Sequence, residues 1–148
     1  MRETYANTIP LDLGVNYSYT DYLSWDFKEN LELINGQIFP INSKIDSYHQ
    51  HISSKILSAM AIFFQNFPYK LLSFPEEIKL VNEKAALYND NPISIVRPDI
   101  SITSNGKNIA IQSCNEIPDL IVEIPTTGFS KVEMNKKFNL YEEVGIRE

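Results

Sequence analysis

The chain has 148 residues, enough for one domain with a hydrophobic core and too few for two ordinary domains. Hydrophobic residues make up 43% and charged residues 22%, which excludes a disordered, collagenous or coiled-coil chain. The formal net charge is -6, so the chain as a whole does not attract phosphate. Any role with nucleic acid must therefore depend on a local patch or a metal ion.

Cysteine use and hydropathy indicate the compartment. Cys114 is the single cysteine, which excludes an intrachain disulfide and a cysteine-rich zinc site and is typical of a reducing cytoplasm. The longest uninterrupted apolar run is 59–64, far short of the ~20 residues that a membrane helix needs. We therefore expect a cytoplasmic protein without a membrane segment.

The first predicted elements follow an irregular lead-in at 1–16, and a single domain is expected over 17–148. Thr20 is a plausible N-cap for a short first helix. Asn35-Gly36 between apolar flanks is the preferred two-residue turn of a β-hairpin, because both central residues must adopt positive φ. This turn places Glu32 on the first strand of the hairpin, close to its start.

The rest of the chain alternates between helical and strand patterns. A long helix over 47–66 is predicted by an apolar stripe at three- and four-residue spacing, namely Ile52, Ile56, Met60, Phe63 and Phe64. A final helix over 131–144 ends at Gly145, a natural C-cap. Strands are predicted between them at 71–74, 77–81, 93–103, 108–112 and 119–124. This order predicts an α/β or α+β domain, in which 119–124, the most apolar strand, would be central and buried.

Two acidic residues fall inside predicted strands, where an unpaired carboxylate is costly. Asp99 follows Pro98, and Glu123 lies within the most apolar strand. Two carboxylates that face one side of a sheet suit a hard divalent cation such as Mg²⁺. In the structural alternative, Asp99 caps a turn and Glu123 pairs with a lysine.

Six short parts of the sequence, spread over most of its length, together resemble one family. They are 19–23, 32–38, 49–52, 97–101, 118–124, and Lys137 with Tyr141 ahead of 145–148. In this order they are similar to the Uma-type restriction endonuclease family of the PD-(D/E)xK nuclease superfamily. The resemblance implies a restriction-endonuclease-like fold, with a central mixed β-sheet flanked by helices. It also implies Mg²⁺- or Mn²⁺-dependent hydrolysis of DNA phosphodiester bonds.

The resemblance further implies the site residues. Asp99 and Glu123 would hold the metal with help from Glu32, and Lys137 would orient or deprotonate the attacking water. Accessory roles are expected for three further side chains: His49, Arg97 and Tyr141. Arg97 would either contact a phosphate or neutralise nearby acids.

Lys137 is the least conventional member of this set. Pro125 stands two residues after Glu123, where the superfamily usually has its lysine, and in this branch the lysine comes from the following helix. The spacing i, i+4, i+8 places three residues on one face of that helix: Glu133, Lys137 and Tyr141. Taken alone, Lys137 would be an ordinary solvated lysine.

Two other candidates also have structural interpretations. Glu32 would be an exposed strand residue if Leu31 and Leu33 formed the buried face of the strand. His49 and His51 stand at the start of the long helix, where histidines are more often surface or capping residues than site residues.

Three departures from the family pattern keep other functions open. The loop 125–129 differs from the family's Leu-Ser-Pro-Ser-Thr-like loop, Glu133 replaces a common Asp, and relatives continue beyond Glu148 into further strands. An uncovered sheet edge there would favour a homodimer.

The second hypothesis is a catalytically inactive domain that binds a partner. A sugar-cleaving enzyme with paired carboxylates is a weaker third, since it gives Lys137 no role. As a nuclease, this acidic chain would bind DNA weakly by itself.

Overall fold

The computed structural model describes residues 11–28, 31–41, 46–74, 76–84, 87, 92–104, 117–126 and 130–148. Within these ranges there are three helices, α1 Tyr19–Leu23, α2 Ser47–Phe64 and α3 Lys131–Val144. The strands are β1 Leu31–Ile34, β2 Gln37–Pro40, β3 Tyr69–Ser73, β4 Ile78–Val81, β5 Ile93–Val96, β6 Ile100–Ser104 and β7 Leu120–Val122. The strand predicted at 108–112 lies outside the described residues.

The strands form two sheets, in the orders β2-β1-β5-β4 and β3-β6-β7. Every described pair is antiparallel. The α+β class is confirmed, but the described strands form two antiparallel sheets where one mixed sheet was expected. Among the described strands, β7 is the last strand of the smaller sheet instead of a central one. On its outer side, the Ile121 N–H donates to the carbonyl oxygen of Glu148 at 3.0 Å.

Local hydrogen bonds determine where the first elements begin. The N-cap of α1 is Ser18, where Thr20 was expected. The Ser18 hydroxyl accepts from the Asp21 N–H while the Asp21 carboxylate accepts from the Ser18 N–H, a reciprocal capping box. Asn35 and Gly36 have φ angles of 49° and 83°, so the predicted hairpin turn is confirmed.

The strand predicted over 93–103 is two strands in different sheets. β5 ends at Val96 in the larger sheet, and β6 begins at Ile100 in the smaller one. Pro98 lies between them and has no N–H to donate to a ladder, so a continuous strand is disfavoured there. The chain therefore crosses from one sheet to the other at 97–99, and Asp99 lies at this junction.

Both faces of β1 are buried. Leu33 packs in a cluster with Tyr22 of α1, whereas Ile34 packs in a second cluster with Leu140 of α3. Because side chains alternate along a strand, Glu32 faces the same side as Ile34, toward α3. This is why Glu32 is only 3% exposed and is not a solvated strand residue.

The longest helix, α2, begins at Ser47 with Asp46 as its N-cap, whose carboxylate accepts from the His49 N–H at 2.7 Å. It ends at Phe64, two residues before the predicted end. Phe63, which its spacing assigns to the apolar stripe, is 68% exposed. In the part of the chain described, no helix has both the length and the apolar character to cross a membrane.

Gly145 ends α3 as predicted, in the left-handed region with φ of 87°. We expect Gly145→Ala to lower the free energy of unfolding by about 1 kcal/mol, because an L side chain is strained at this φ. A Cβ there would meet no atom within 4 Å, so the loss would come from the backbone alone. Urea denaturation measures it, and Asn139→Ala, at an exposed position within α3, should cost nothing. Equal losses in the two variants would contradict this explanation.

Candidate active site

A cavity of about 70 Å³ lies where the two sheets and α3 meet. This space is large enough to hold water or a metal ion. Seven of the residues that line it have charged or titratable side chains: Glu32, His49, Arg97, Asp99, Glu123, Glu133 and Lys137. They come from β1, the start of α2, the 97–99 crossing, the end of β7 and α3.

The antiparallel pairing of β6 with β7 brings Asp99 and Glu123 together. Ile100 pairs with Val122, and one step further along the same register places Asp99 opposite Glu123. The Ile124 N–H donates to Asp99 Oδ2 at 2.7 Å, which continues the contact between the two chain segments. Residues directly opposite on antiparallel strands point to the same face, so both carboxylates reach the cavity.

The ammonium group of Lys137 lies between two carboxylates. Its Nζ is 2.9 Å from Glu32 Oε2 and 3.0 Å from Glu123 Oε1, and the lysine side chain is only 4% exposed. Burial by itself lowers the pKa of Lys137, but the charges of Glu123 and Glu32 outweigh it and hold the pKa above its ordinary value. Lys137 is therefore a buried cation at neutral pH and not a free base.

Glu123 has a strongly perturbed carboxyl group. Burial raises the pKa of Glu123 to about 7, against the opposing effects of Lys137 and Tyr141, while the charge of Glu32 raises it further. The Tyr141 hydroxyl donates to Glu123 Oε1 at 2.5 Å. Burial, and then the charge of Glu123, raise the pKa of Tyr141 well above its usual value, so this phenol remains a hydrogen-bond donor.

Arg97 supports the site through its backbone. Its N–H donates to Glu32 Oε1 at 2.6 Å, which holds the second oxygen of Glu32 toward Lys137. Its guanidinium donates to the Leu31 carbonyl at 2.6 Å and pairs with Glu77 at 2.7 Å. Of the two roles considered for Arg97, the structure places the guanidinium against a neighbouring acid.

The two histidines of α2 have different environments. His49 is buried, and its Nε2 lies 2.9 Å from Asp99 Oδ1, whereas His51 is exposed. Because a carboxylate only accepts, His49 Nε2 carries the hydrogen, and in the neutral ring Nδ1 has a lone pair. Among the described residues, His49 Nδ1 is a buried atom without a hydrogen-bond partner.

Two supporting residues were not anticipated. Tyr22 and Glu77 both contact the Arg97 guanidinium, and the Tyr22 hydroxyl also donates to Glu77 at 3.0 Å. These three residues are far apart in sequence and no local pattern joins them. Glu133 lines the cavity as well, and its i, i+4 relation to Lys137 is the signal that could have assigned it there.

The donors around the cavity fit a hard divalent cation. Carboxylate oxygens are the ligands that Mg²⁺ and Mn²⁺ prefer, and four lining residues carry them: Glu32, Asp99, Glu123 and Glu133. Within the described ranges, no group of three or more His, Cys, Asp or Glu residues is already arranged as a metal site. The Lys137 ammonium stands between two of the carboxylates, so a cation would have to share or replace its contacts.

Comparisons with known proteins identify a family and a similar fold. A family model described as "Uma2: Putative restriction endonuclease" matches residues 19–148. A crystal structure described as "a putative nuclease belonging to DUF820" from Anabaena variabilis has a similar fold, with a TM-score of 0.63 and 16% sequence identity. The match covers 85% of this chain and 68% of that chain, and at this identity it shows the fold alone. No curated protein matches the chain.

Proposed function

Because the chain belongs to the Uma2 family, described as "Putative restriction endonuclease", we propose that it is a metal-dependent nuclease that hydrolyses DNA phosphodiester bonds. The observation that carries the proposal is that Asp99, Glu123 and Lys137 line one small cavity. Pro98-Asp99, Glu123 and a lysine supplied from α3 would form a site of the PD-(D/E)xK type. No other chemistry considered uses two carboxylates and a buried cation in this way.

Asp99 and Glu123 would hold one Mg²⁺ or Mn²⁺, with Glu32 as a further ligand. When bound, the cation would stabilise charge on the phosphate and make a water molecule more acidic. Lys137 would orient the attacking water and stabilise the charge that develops on the phosphate. Its raised pKa favours this cationic role over proton abstraction, the other role that the resemblance allowed.

Two neighbours would hold the ligands in place. His49 donates to Asp99, and Tyr141 donates to Glu123, so each carboxylate has one oxygen oriented by a neighbouring side chain. Partners of this kind commonly orient metal ligands and tune their basicity. We assign His49 and Tyr141 positioning roles in the proposed site.

DNA would be bound weakly by one chain. The net charge of -6 opposes the approach of a polyanion, and a bound divalent cation would offset only part of it. A homodimer would offer two sites to one DNA molecule, and binding at one site would raise the effective concentration of DNA at the other. We therefore include self-association in the proposal.

A catalytically inactive binding module is the second candidate. It is favoured by the Lys137 ammonium, which in this structure already neutralises Glu32 and Glu123. Titration with Mn²⁺ separates the two functions. Binding at micromolar to low millimolar concentrations supports the nuclease, and no binding of Mg²⁺ or Mn²⁺ at several millimolar supports the inactive module.

Asp99→Asn tests the metal ligands. We expect the substitution to remove the thermal stabilisation produced by Mn²⁺ and to reduce DNA cleavage at least about 100-fold, because a neutral amide is a much weaker ligand for a hard cation. Thermal unfolding with and without Mn²⁺, calorimetric titration of Mn²⁺ affinity and a plasmid-nicking assay measure these effects.

Asp119→Asn is the matched control. Asp119 lies just before β7, and its carboxylate accepts from the Ser104 N–H at 2.7 Å, a contact that an amide oxygen can preserve. The control should bind Mn²⁺ and cleave DNA like the wild type. Unchanged Mn²⁺ affinity in Asp99→Asn would remove Asp99 from the proposed metal site.

A further inference from the structure

Four apolar side chains are exposed where α2 ends and β3 begins, and together they are called the aromatic patch. They are Ile62, Phe63, Phe67 and Tyr69, which are 68%, 68%, 54% and 37% exposed. Phe63 and Phe67 stack with ring centroids 6.2 Å apart. Since a large aromatic side chain has about 150–250 Å² of surface, this aromatic patch exposes about 400 Å² of apolar area. Patches of that size on a single chain are often functional.

The aromatic patch lies in a part of the sequence that lacks negative charge. Between Asp46 and Glu76 there is no Asp or Glu, and the charged residues there are Lys55 and Lys70. The other residues of the chain carry 11 basic and 19 acidic side chains. Two copies of this chain would therefore repel each other least when they meet at this surface.

In the described part of the chain, the edge of the smaller sheet at β3 adjoins the aromatic patch. Tyr69 is the first residue of β3, and β3 pairs with β6 on one side only among the strands described. The Tyr69 ring also contacts Phe64 of α2, with centroids 4.8 Å apart, so the edge and the helix end form one continuous surface. A strand with one unpaired side readily accepts another chain.

We propose that the aromatic patch, with the adjoining edge of β3, is the contact between two copies of this chain related by a two-fold axis. In such a contact the same surface occurs on both sides, so apolar side chains meet apolar side chains and no acidic cluster is brought against another. A stable interface buries about 800 Å² per partner around an apolar centre. The aromatic patch would supply about half of that area. Polar residues of β3 and α2 around the patch would supply the rest.

The composition of the surface favours a second copy over other occupants. Nucleic acid or an anionic membrane would need several cations, and the stretch between Asp46 and Glu76 has two lysines. This contact lies on a different surface from the sheet edge at which the sequence suggested a homodimer. It does not depend on nuclease activity, because the patch residues do not line the catalytic cavity.

Sedimentation equilibrium of the full chain between about 5 and 200 µM tests the proposal. We expect a monomer–dimer equilibrium with a dissociation constant in the micromolar range. Raising NaCl from 50 to 500 mM should strengthen association several-fold, because salt screens the repulsion between two acidic chains and leaves apolar contact intact. Phe63→Asp combined with Phe67→Asp should give a monomer at every concentration.

Val132→Asp is the control, since Val132 is 62% exposed on α3 and lies outside the patch. It should associate like the wild type. A wild type that stays monomeric at 200 µM would overturn the proposal, as would a dimer that the double substitution leaves unchanged. Association that weakens as salt rises would also overturn it, because it would show pairing of opposite charges. Even if the double variant fails to fold, a monomeric wild type or the wrong salt dependence would still overturn the proposal.

Discussion

Lys137→Met is expected to reduce metal-dependent DNA cleavage by about 10²–10³-fold, because loss of one electrostatic contact to a developing charge typically costs this much. Mn²⁺ binding should persist and become tighter. The Lys137 ammonium neutralises Glu32 and Glu123 in the wild type. Without it, these two carboxylates would bind another cation more strongly. Cleavage assays together with Mn²⁺ calorimetry would show activity and metal binding moving in opposite directions.

The same substitution should destabilise the metal-free protein by about 3–5 kcal/mol, the usual result of removing one partner from a buried ion pair. Saturating Mn²⁺ should restore part of that loss, since the cation replaces the missing positive charge. Activity must therefore be compared under conditions in which circular dichroism shows both proteins folded.

Lys136→Met provides the matched control. Lys136 is the adjacent residue on α3, but its ammonium contacts Gln37 and the ring of Phe39, away from the carboxylates. Its loss should leave cleavage within about twofold of the wild type. Full-rate cleavage by Lys137→Met would remove Lys137 from the mechanism, and loss of Mn²⁺ binding would instead indicate a purely structural lysine.

The affinity for Mn²⁺ is expected to depend on pH through Glu123. Its pKa of about 7 means that the metal-free carboxyl group is largely protonated below pH 7 and ionised above it. A metal ligand must be ionised, so below pH 7 the apparent affinity should fall about tenfold for each pH unit and above pH 7 it should level off. Calorimetry at pH 6 in two buffers with different ionisation enthalpies should detect nearly one proton released per Mn²⁺, and at pH 8 close to none.

Stability of the metal-free protein should show the opposite trend with pH. The pKa of Glu123 is higher in the folded protein than its ordinary value of 4.5, so the folded state binds the proton more tightly. The resulting stabilisation is complete below pH 4.5 and is lost as pH rises to about 7, by an amount on the order of 3 kcal/mol. Glu123→Gln should remove this dependence, and a wild type whose unfolding free energy rises from pH 5 to 7 would contradict the origin assigned to it.

Local patterns predicted several elements correctly. The positive φ that Asn35 and Gly36 require identified the hairpin turn, and the spacing of α3 with Gly145 at its end gave that helix its observed bounds. In both cases the energy that determines the structure lies within a few neighbouring residues. The α+β class followed from the order of such elements.

Other predictions were wrong because the local sequence of a segment does not specify which other elements pack against it. The strand predicted over 93–103 is divided at Pro98, and among the strands that the structure describes the apolar strand predicted at 119–124 is last in its sheet instead of central. Phe63 shared the spacing of a buried stripe but is exposed, since burial depends on which other elements pack against α2.

The sequence by itself determined which residue types were available for catalysis and placed Lys137 and Tyr141 on one face of α3. Their distances to Glu32 and Glu123 were decided only by the tertiary structure, which brings β1, β7 and α3 together across separations of many residues. The perturbed pKa of Glu123 and the raised pKa of Lys137 have the same origin, because burial and the interaction of neighbouring charges exist only once the chain has folded. Local chemistry thus selected the groups, and long-range packing created their electrostatic environment.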